Sequence, residues 1–234
     1  MSHIVAISPH LDDAAFSVGG LLAARARTGD RVTIVTCFTG NVAQPTGFAL
    51  ACQLDKGLAP EIDYMALRRG EDLAACAVIG AAAIHLPLLE APHRGYASAP
   101  ELFAGRRDDD MMLAPLTAAL AGQIAALEPD VLLGPLAIGD HVDHWLVRDA
   151  LAAIDGSVLL WEDWPYLNRA RSRPAASPVL RHDLSTDDRD ARVTMCAAYA
   201  SQLTFQFGSL AAMKTAIDAV SEEHLYAADT YCRS

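Results

Sequence analysis

The stretch HIVAISPHLDD, residues 3–13, is an apolar run that ends in a histidine and two adjacent aspartates. The run itself is typical of a buried strand, and the small-residue segment Ala14–Arg27 that follows is typical of a helix. The histidine and both carboxylates therefore lie on a predicted turn between strand and helix. In open α/β sheets, ligands and catalytic groups collect at such turns, beyond the carboxyl ends of the strands.

Apolar runs and helical patterns alternate along the rest of the chain. Arg31–Cys37, Val131–Gly134 and Val158–Trp161 are typical of strands buried on both faces. This alternation predicts a single α/β domain over residues 1–234, with helices on both faces of a mostly parallel sheet. A second polar cluster, His141-Val142-Asp143-His144, follows the Val131–Gly134 strand. We therefore expect the two clusters to meet at one edge of the sheet.

Two long segments, Phe38–Asp63 and Glu90–Arg107, lack a clear period and are predicted to be loops. A helix is predicted over Asp108–Leu127, because its three initial aspartates suit the positive end of a helix dipole. A further helix is predicted over Thr186–Gln202, and a last strand over His224–Tyr231.

Composition limits the classes of partner. The chain is 52% hydrophobic and 20% charged, so it can bury a sizeable core. Its formal net charge of -11 argues against nucleic acid or an anionic membrane surface as the main partner. The longest apolar window, Leu73–Leu89, is interrupted by His85 and Pro87, so no membrane span is predicted. The sequence does not indicate an oligomeric state.

The first residues lack the basic and apolar regions of a targeting signal, so we expect a cytoplasmic protein. The cysteines are odd in number and have no CxxC spacing, which argues against a disulfide framework or a thiolate zinc site. Reduced thiols are predicted at Cys37, Cys52, Cys76, Cys196 and Cys232.

The residue types of the two clusters fit a metal centre. His10 and Asp13, three residues apart at a helix start, can chelate one divalent ion, and His144 can supply a third ligand. Two histidines and one acid with open positions suit catalytic zinc or non-haem iron(II). Asp12 is placed to act as general base toward a water molecule, and His141 to protonate a leaving amine or stabilise an oxyanion.

Each of these residues also has an ordinary structural explanation. Either aspartate of the first cluster could cap the following helix, and its histidine could be a hydrogen-bonded turn residue. The second cluster could be a solvated loop pair. The two clusters together favour the metal centre, because both follow buried strands, where a structural histidine has little reason to lie.

Together, Pro9-His10-Leu11-Asp12-Asp13 and His141-Val142-Asp143-His144 resemble the paired signatures of the PIG-L/LmbE-like deacetylases. The resemblance implies a Rossmann-like fold and a zinc-dependent hydrolase that removes an N-acyl group, usually acetyl, from glucosamine-type small molecules. The implied reaction is attack by zinc-bound water. The implied site comprises metal ligands His10, Asp13 and His144, the general base Asp12, His141 as oxyanion stabiliser or acid, Asp143 orienting His141, and Arg68 as a substrate contact.

The chain departs from the family pattern at three points. Leu11 and Ala14 replace a proline and a glutamate, which matches a Pro-His-Leu-Asp-Asp branch and leaves the substrate open. Some members carry an oxyanion-donating tyrosine just before the second signature, where this chain has Gly139-Asp140. Tyr96 and Tyr166 are candidate replacements. Arg68 also has an alternative explanation, as a solvated helix arginine paired with Glu71 or Asp72.

Three other functions are weighed against an amino-sugar deacetylase. One is an amidase or deacylase of a non-sugar natural product, and another is a non-catalytic carbohydrate- or nucleotide-binding member of the fold. A dinucleotide enzyme is excluded by motif, because Gly19-Gly20 lies inside the predicted helix and no GxGxxG follows a strand. These glycines are instead expected to permit close helix packing. Iron(II) remains an alternative to zinc.

Overall fold

The computed structural model describes residues 1–154, 157–168, 174 and 176–228. These residues form one seven-stranded sheet, whose strands are β1 (His3–Ser8), β2 (Arg31–Thr36), β3 (Ala82–His85), β4 (Val131–Pro135), β5 (Val158–Trp161), β6 (Leu180–Asp183) and β7 (Glu222–Ala227). The strand order is β3-β2-β1-β4-β5-β7-β6. The first five strands of this order run parallel, and β7 is antiparallel to both β5 and β6. The predicted mostly parallel α/β fold is thus confirmed.

Helices connect the strands and cover the sheet. In the described part of the chain they are α1 (Asp13–Arg27), α2 (Gly47–Leu54), α3 (Tyr64–Val78), α4 (Ala99–Leu102), α5 (Leu113–Leu127), α6 (Val142–Ala152), α7 (Thr186–Ala197), α8 (Ala200–Phe207) and α9 (Leu210–Asp218). Among them, none combines the length and the apolar character that crossing a membrane requires. The apolar window Leu73–Leu89 is divided between α3 and β3.

Four predicted elements differ from the structure. The loop Phe38–Asp63 contains helix α2, and the loop Glu90–Arg107 contains the short helix α4. The helix predicted over Thr186–Gln202 is two helices, α7 and α8. The helix predicted from Asp108 begins only at Leu113. The reason is that Asp110 binds elsewhere, since its carboxylate pairs with Arg94 and accepts the backbone N–H of Met112.

Two sequence predictions extend beyond the described residues. The predicted last strand corresponds to β7, which starts two residues earlier than expected. The predicted end of that strand, Tyr231, and Cys232 lie outside the described part of the chain. The other four cysteines are free thiols, of which Cys52 is half-buried and the rest are buried.

The centre of the sheet explains why the two polar clusters meet. Strands β1 and β4 are adjacent and parallel, with Ile4 opposite Val131. Both strands are almost fully buried, and their carboxyl ends lie at the same edge. The first cluster follows β1 directly, and the second follows β4 after a short loop. Pairing of these two strands therefore brings residues about 130 positions apart into one site.

Two glycines of α1 allow close packing, Gly19 against α7 and Gly20 against Leu184, which precedes α7. A Cβ atom on Gly20 would lie 2.3 Å from Leu184 Cδ2, and one on Gly19 would lie 3.1 Å from Arg192 Cγ. The expectation that this pair permits close packing is confirmed. The Glu223 side chain enters the same space and accepts the backbone N–H groups of Gly20 and Leu21 at 3.0 and 2.7 Å. A buried ion pair between Arg192 and Glu223 completes this contact, with Nε and Oε1 3.3 Å apart.

Candidate metal centre

The structure brings the three predicted ligands together. His10 lies on the turn after β1, Asp13 is the first residue of α1, and His144 lies in the first turn of α6. Asp13 Oδ2 is 3.0 Å from His10 Nδ1 and 3.2 Å from His144 Nε2. One ligand atom from each of the three buried residues lies within 4.8 Å of the others. The arrangement is compact enough for a single ion.

The hydrogen bonding of His144 also fits a cation bound by these three residues. His144 Nε2 is buried and makes no hydrogen bond, although Asp13 Oδ2 is close. The other nitrogen, Nδ1, lies 2.7 Å from Asp163 Oδ1, and Asp163 Oδ2 accepts the Ile138 N–H at 2.8 Å. A metal-binding histidine commonly donates its second N–H to a carboxylate in this way, which leaves the first nitrogen free as ligand. Orphaned buried nitrogens are rare in folded proteins, so a metal is the simplest partner for His144 Nε2.

The orienting role expected of Asp143 falls on a different histidine. Among the hydrogen bonds of the described residues, its carboxylate does not contact His141. Oδ2 lies 3.0 Å from His10 Nε2, and Oδ1 accepts from Arg94 at 2.7 Å. Burial would raise the pKa of Asp143, but the Arg94 guanidinium and His10 together hold it below its ordinary value. Asp143 therefore stays ionised and fixes the His10 ring.

His141 occupies the N-cap position of α6. Its Nδ1 accepts the Asp143 backbone N–H at 3.2 Å. This hydrogen bond requires a lone pair on Nδ1, so the proton of the neutral ring lies on Nε2. Burial lowers the pKa of His141 to about 3, and the neighbouring His10 acts in the same direction. The ring is therefore suited to donate a hydrogen bond from Nε2 rather than to release a full proton.

Asp12 precedes α1 in the N-cap position, yet its side chain makes no capping hydrogen bond. The helix-cap explanation is therefore wrong for this residue. Its carboxylate is buried and lies 3.4 Å from Arg68 Nη2. Burial raises the pKa of Asp12 to about 6, and the Arg68 charge opposes this shift. A carboxylate with such a pKa can take and return a proton near neutral pH.

Arg68 is not a solvated surface residue paired with Glu71 or Asp72. Its side chain is only 6% exposed, and it points from α3 toward Asp12 and Glu90, with an ion pair to each. Glu71 instead accepts hydrogen bonds from Ser201. Arg68 lines the same cavity as Asp12. Its role as a substrate contact stays a prediction.

The two candidate tyrosines separate clearly. Tyr96 is buried in a loop, where its hydroxyl donates to Asp110 Oδ2 at 2.9 Å and accepts the Arg107 N–H. Tyr166 lies at the metal centre, with its ring centroid 5.1 Å from that of His144. A Cβ on Gly139 would lie 2.8 Å from Tyr166 Cβ, so the Tyr166 side chain covers the position where the family tyrosine would begin.

A cavity of about 270 Å³ opens beside these residues. Two of the three candidate ligands, His10 and Asp13, line it, and its walls come from α2, α3, α8 and the segment after β3. The walls combine carboxylates, amides and aromatic rings. They include Gln53, Lys56, Glu61, Asp63, Tyr64, Arg68, Glu90, Tyr166, Gln202 and Phe205.

Sequence reasoning assigned no role to Asp163, Arg94 or Asp110. Asp163 lies two residues after strand β5, so the same rule that selected the two clusters could have selected it. Arg94 lies in a segment without a clear period, and Asp110 was predicted only as the start of a helix. The connection from Asp110 through Arg94 to Asp143 is set by the fold.

The chain matches a known protein family and a characterised relative. A model of the GlcNAc-PI de-N-acetylase (PIG-L) family matches residues 5–154, a range that contains both clusters. The 2'-N-acetylparomamine deacetylase of Streptomyces fradiae is 36% identical over 165 residues. This match spans 68% of the chain but only 56% of the relative.

Solved structures resemble the chain over nearly its whole length. A deacetylase of teicoplanin biosynthesis has a TM-score of 0.83 and 26% identity, with 97% of both chains covered. A zinc-inhibited form of the teicoplanin deacetylase Orf2 has a TM-score of 0.81 and 27% identity, again with 97% of both chains covered.

Proposed function

Because the chain belongs to the GlcNAc-PI de-N-acetylase (PIG-L) family, we propose that it is a metal-dependent hydrolase that removes an N-acetyl group from an amino-sugar conjugate. One observation carries the proposal: His10, Asp13 and His144 form one buried set in which His144 Nε2 has no hydrogen-bond partner, and two members of the set, His10 and Asp13, line the same cavity as Asp12. The relatives include a 2'-N-acetylparomamine deacetylase and a deacetylase of teicoplanin biosynthesis, and both support N-deacetylation of an amino-sugar glycoside conjugate.

The three ligands would hold a divalent ion, and two histidines with one carboxylate suit Zn²⁺, with Fe²⁺ as the alternative. Such an ion supplies Lewis acidity toward the acyl carbonyl and lowers the pKa of water. Asp163 and Asp143 keep the two imidazoles oriented for this task. The chain's remaining groups supply proton transfer and charge stabilisation.

Asp12 takes a proton from the attacking water as the new carbon–oxygen bond forms. Negative charge develops on the acyl oxygen, and His141 donates its Nε2–H toward it. The Tyr166 hydroxyl is a second donor at the same place. Asp12 then returns the proton to the amide nitrogen, the carbon–nitrogen bond breaks, and a free amine and acetate leave. Arg68 keeps Asp12 ionised before the reaction by opposing the effect of burial.

The first experiment combines elemental analysis with an acetate-release assay. Because a zinc-inhibited form of Orf2 exists, the apo-protein is loaded stepwise with up to one equivalent of Zn²⁺ or Fe²⁺. The substrates are an N-acetylated aminoglycoside precursor, an N-acetylglucosaminyl glycopeptide and a non-sugar N-acetyl amine. We expect about one ion per chain, retained by Asp12→Asn and lost by His144→Ala, with acetate released from a sugar substrate.

Two results would contradict the proposal. Bound metal with acetate released only from the non-sugar amine would move the function to the natural-product amidase. Absence of metal after reconstitution, without hydrolysis of any amide, would favour the non-catalytic binding protein.

A further inference from the structure

The segment between β3 and α5 sends a buried arginine to the metal centre. The Arg94 side chain is 7% exposed and lies between two carboxylates that are almost fully buried. Nη2 is 2.7 Å from Asp143 Oδ1 and 3.0 Å from Asp110 Oδ2. A buried guanidinium between two carboxylates is held firmly, because loss of either partner leaves an uncompensated charge.

Asp143 connects this segment to the metal-ligand ring. Its Oδ2 faces His10 Nε2 and also accepts the Ala91 N–H at 3.1 Å. A proton held on Nε2 by Asp143 leaves a lone pair on His10 Nδ1, which is the nitrogen beside Asp13. Besides His10, the described donors to the Asp143 carboxylate are the Ala91 N–H and the Arg94 guanidinium, and both come from one segment.

Asp110 is itself fixed by its surroundings. It accepts the Tyr96 hydroxyl at 2.9 Å and the Met112 N–H at 3.1 Å. The Arg107 backbone N–H in turn donates to the Tyr96 oxygen at 3.1 Å. The network therefore extends from the surface of the segment, through Asp110, Arg94 and Asp143, to His10.

We propose that Arg94, held by Asp110, is a positioning residue for the metal centre: it fixes Asp143 so that His10 offers Nδ1 to the ion. The inference rests on the proposed function, since it requires His10 to be a ligand. The same segment contributes Glu90 and His93 to the cavity wall. Metal affinity and the shape of the substrate cavity therefore depend on one segment.

The test measures the Zn²⁺ dissociation constant by chelator competition, together with the Tm of the metal-free protein. The variants are Arg94→Met, Arg94→Lys and Tyr96→Phe. The control is Arg107→Met, on the same segment, which keeps the backbone N–H that donates to Tyr96. Its 41% exposed side chain contacts Asp109, the Gly95 carbonyl and the Tyr96 ring but not Asp143. Partners behind a metal ligand contribute about 10–100-fold to affinity, so Arg94→Met should weaken Zn²⁺ binding by that factor.

Arg94→Lys should recover part of the affinity, because an ammonium can still neutralise one carboxylate, and Arg107→Met should match the wild type. A lowered Tm with unchanged Zn²⁺ affinity in Arg94→Met would overturn the proposal, since the arginine would then be merely structural. If Arg94→Met does not fold, Tyr96→Phe decides, because it removes only the hydroxyl that donates to Asp110 and accepts the Arg107 N–H, and it leaves both buried charges in place. A several-fold loss of affinity there supports the proposal, and wild-type affinity overturns it. Failure of the wild type itself to bind either Zn²⁺ or Fe²⁺ would instead refute the proposed function.

Discussion

Two buried arginines in this molecule have similar chemistry and different surroundings. Arg192 lies beneath α1, where Glu223 neutralises it and the Phe16 carbonyl accepts from it. Glu223 uses its remaining capacity on backbone N–H groups of α1. Arg68 lies in the cavity wall, between Asp12 and Glu90, and a third carboxylate, the candidate metal ligand Asp13, lines the same cavity.

The buried charges of Arg192 and Glu223 hold elements of the fold together, whereas the buried charges around Arg68 are available to a ligand in the cavity. Around Arg192 the described partners are internal, and the ion pair joins α7 to β7 and α1. Around Arg68, carboxylates outnumber the guanidinium, and Asp12 keeps a raised pKa. We therefore expect changes near Arg68 to alter catalysis with little effect on folding, and changes near Arg192 to do the opposite.

The largest effect is expected at Asp12. Asp12→Asn removes the proposed proton acceptor, and kcat should fall by about 10²–10⁴-fold. Metal content and the thermal unfolding curve should stay close to wild type, because Arg68 keeps its ion pair with Glu90. Steady-state acetate release and elemental analysis provide the measurements. Wild-type turnover in this variant would remove Asp12 from the mechanism.

Next in size is a change on the structural side. Glu223→Ala leaves the Arg192 charge uncompensated and two α1 N–H groups unpaired, so unfolding free energy should fall by about 3–5 kcal/mol. Calorimetry should show a Tm lower by roughly 6–20 °C. The matched control is Glu222→Ala, whose partners His224 and Arg181 are at the surface, and which should change stability by less than about 0.5 kcal/mol. A large loss of Zn²⁺ affinity in Glu223→Ala below its Tm would contradict the division between the two regions.

A tyrosine pair gives a closer test of the same division. Tyr166→Phe removes the second proposed oxyanion donor, and kcat should fall by about 10²-fold with metal retained. Tyr199→Phe removes a hydroxyl that donates to Asp72 Oδ1 at 2.7 Å, away from the cavity. It should lower stability by about 1 kcal/mol and leave kcat unchanged. Equal kcat values for the two variants would exclude Tyr166 as a donor.

The smallest expected effect is a shift in pH dependence. Asp12 must be ionised to accept a proton, so kcat/KM should fall as pH drops through the pKa of Asp12. Burial raises that pKa and Arg68 lowers it, so Arg68→Met should move the acidic limb to higher pH by roughly one unit. Arg192→Met should leave the limb in place, measured on whatever fraction folds. A limb that does not move in Arg68→Met would show that another group controls it.

The part of the site that follows from local pattern was predictable. His10 and Asp13 lie on the turn and the first helical position after β1, and His144 lies in the first turn of the helix that follows β4, so their spacing can be read from the sequence alone. The sheet's parallel core was likewise predictable, because β-branched runs alternate with helical segments. The same pattern indicated that Gly19-Gly20 serves helix packing rather than a phosphate.

What could not be predicted depends on long-range pairing. Nothing local indicates that β7 inserts antiparallel between β5 and β6, since strand order is decided by packing across the whole sheet. The partner of Asp143 was wrongly assigned to its sequence neighbour His141, whereas the folded chain gives it His10, 133 positions away. Arg94 approaches Asp143 across 49 positions of chain for the same reason. Proximity in sequence therefore did not predict which of two possible partners a side chain contacts in the folded chain.

The separation between His10 and Asp143 also has a consequence for biosynthesis. A nascent chain emerges from the amino terminus at about 5–20 residues per second, so His10 and Asp13 leave the ribosome long before their partners. Until β4 has been made and has paired with β1, the entropic cost of closing so long a loop keeps the two clusters of the site apart. The carboxylate that orients His144 arrives later still, at Asp163. A metal ion held by His10, Asp13 and His144 would therefore bind late, after the sheet has folded.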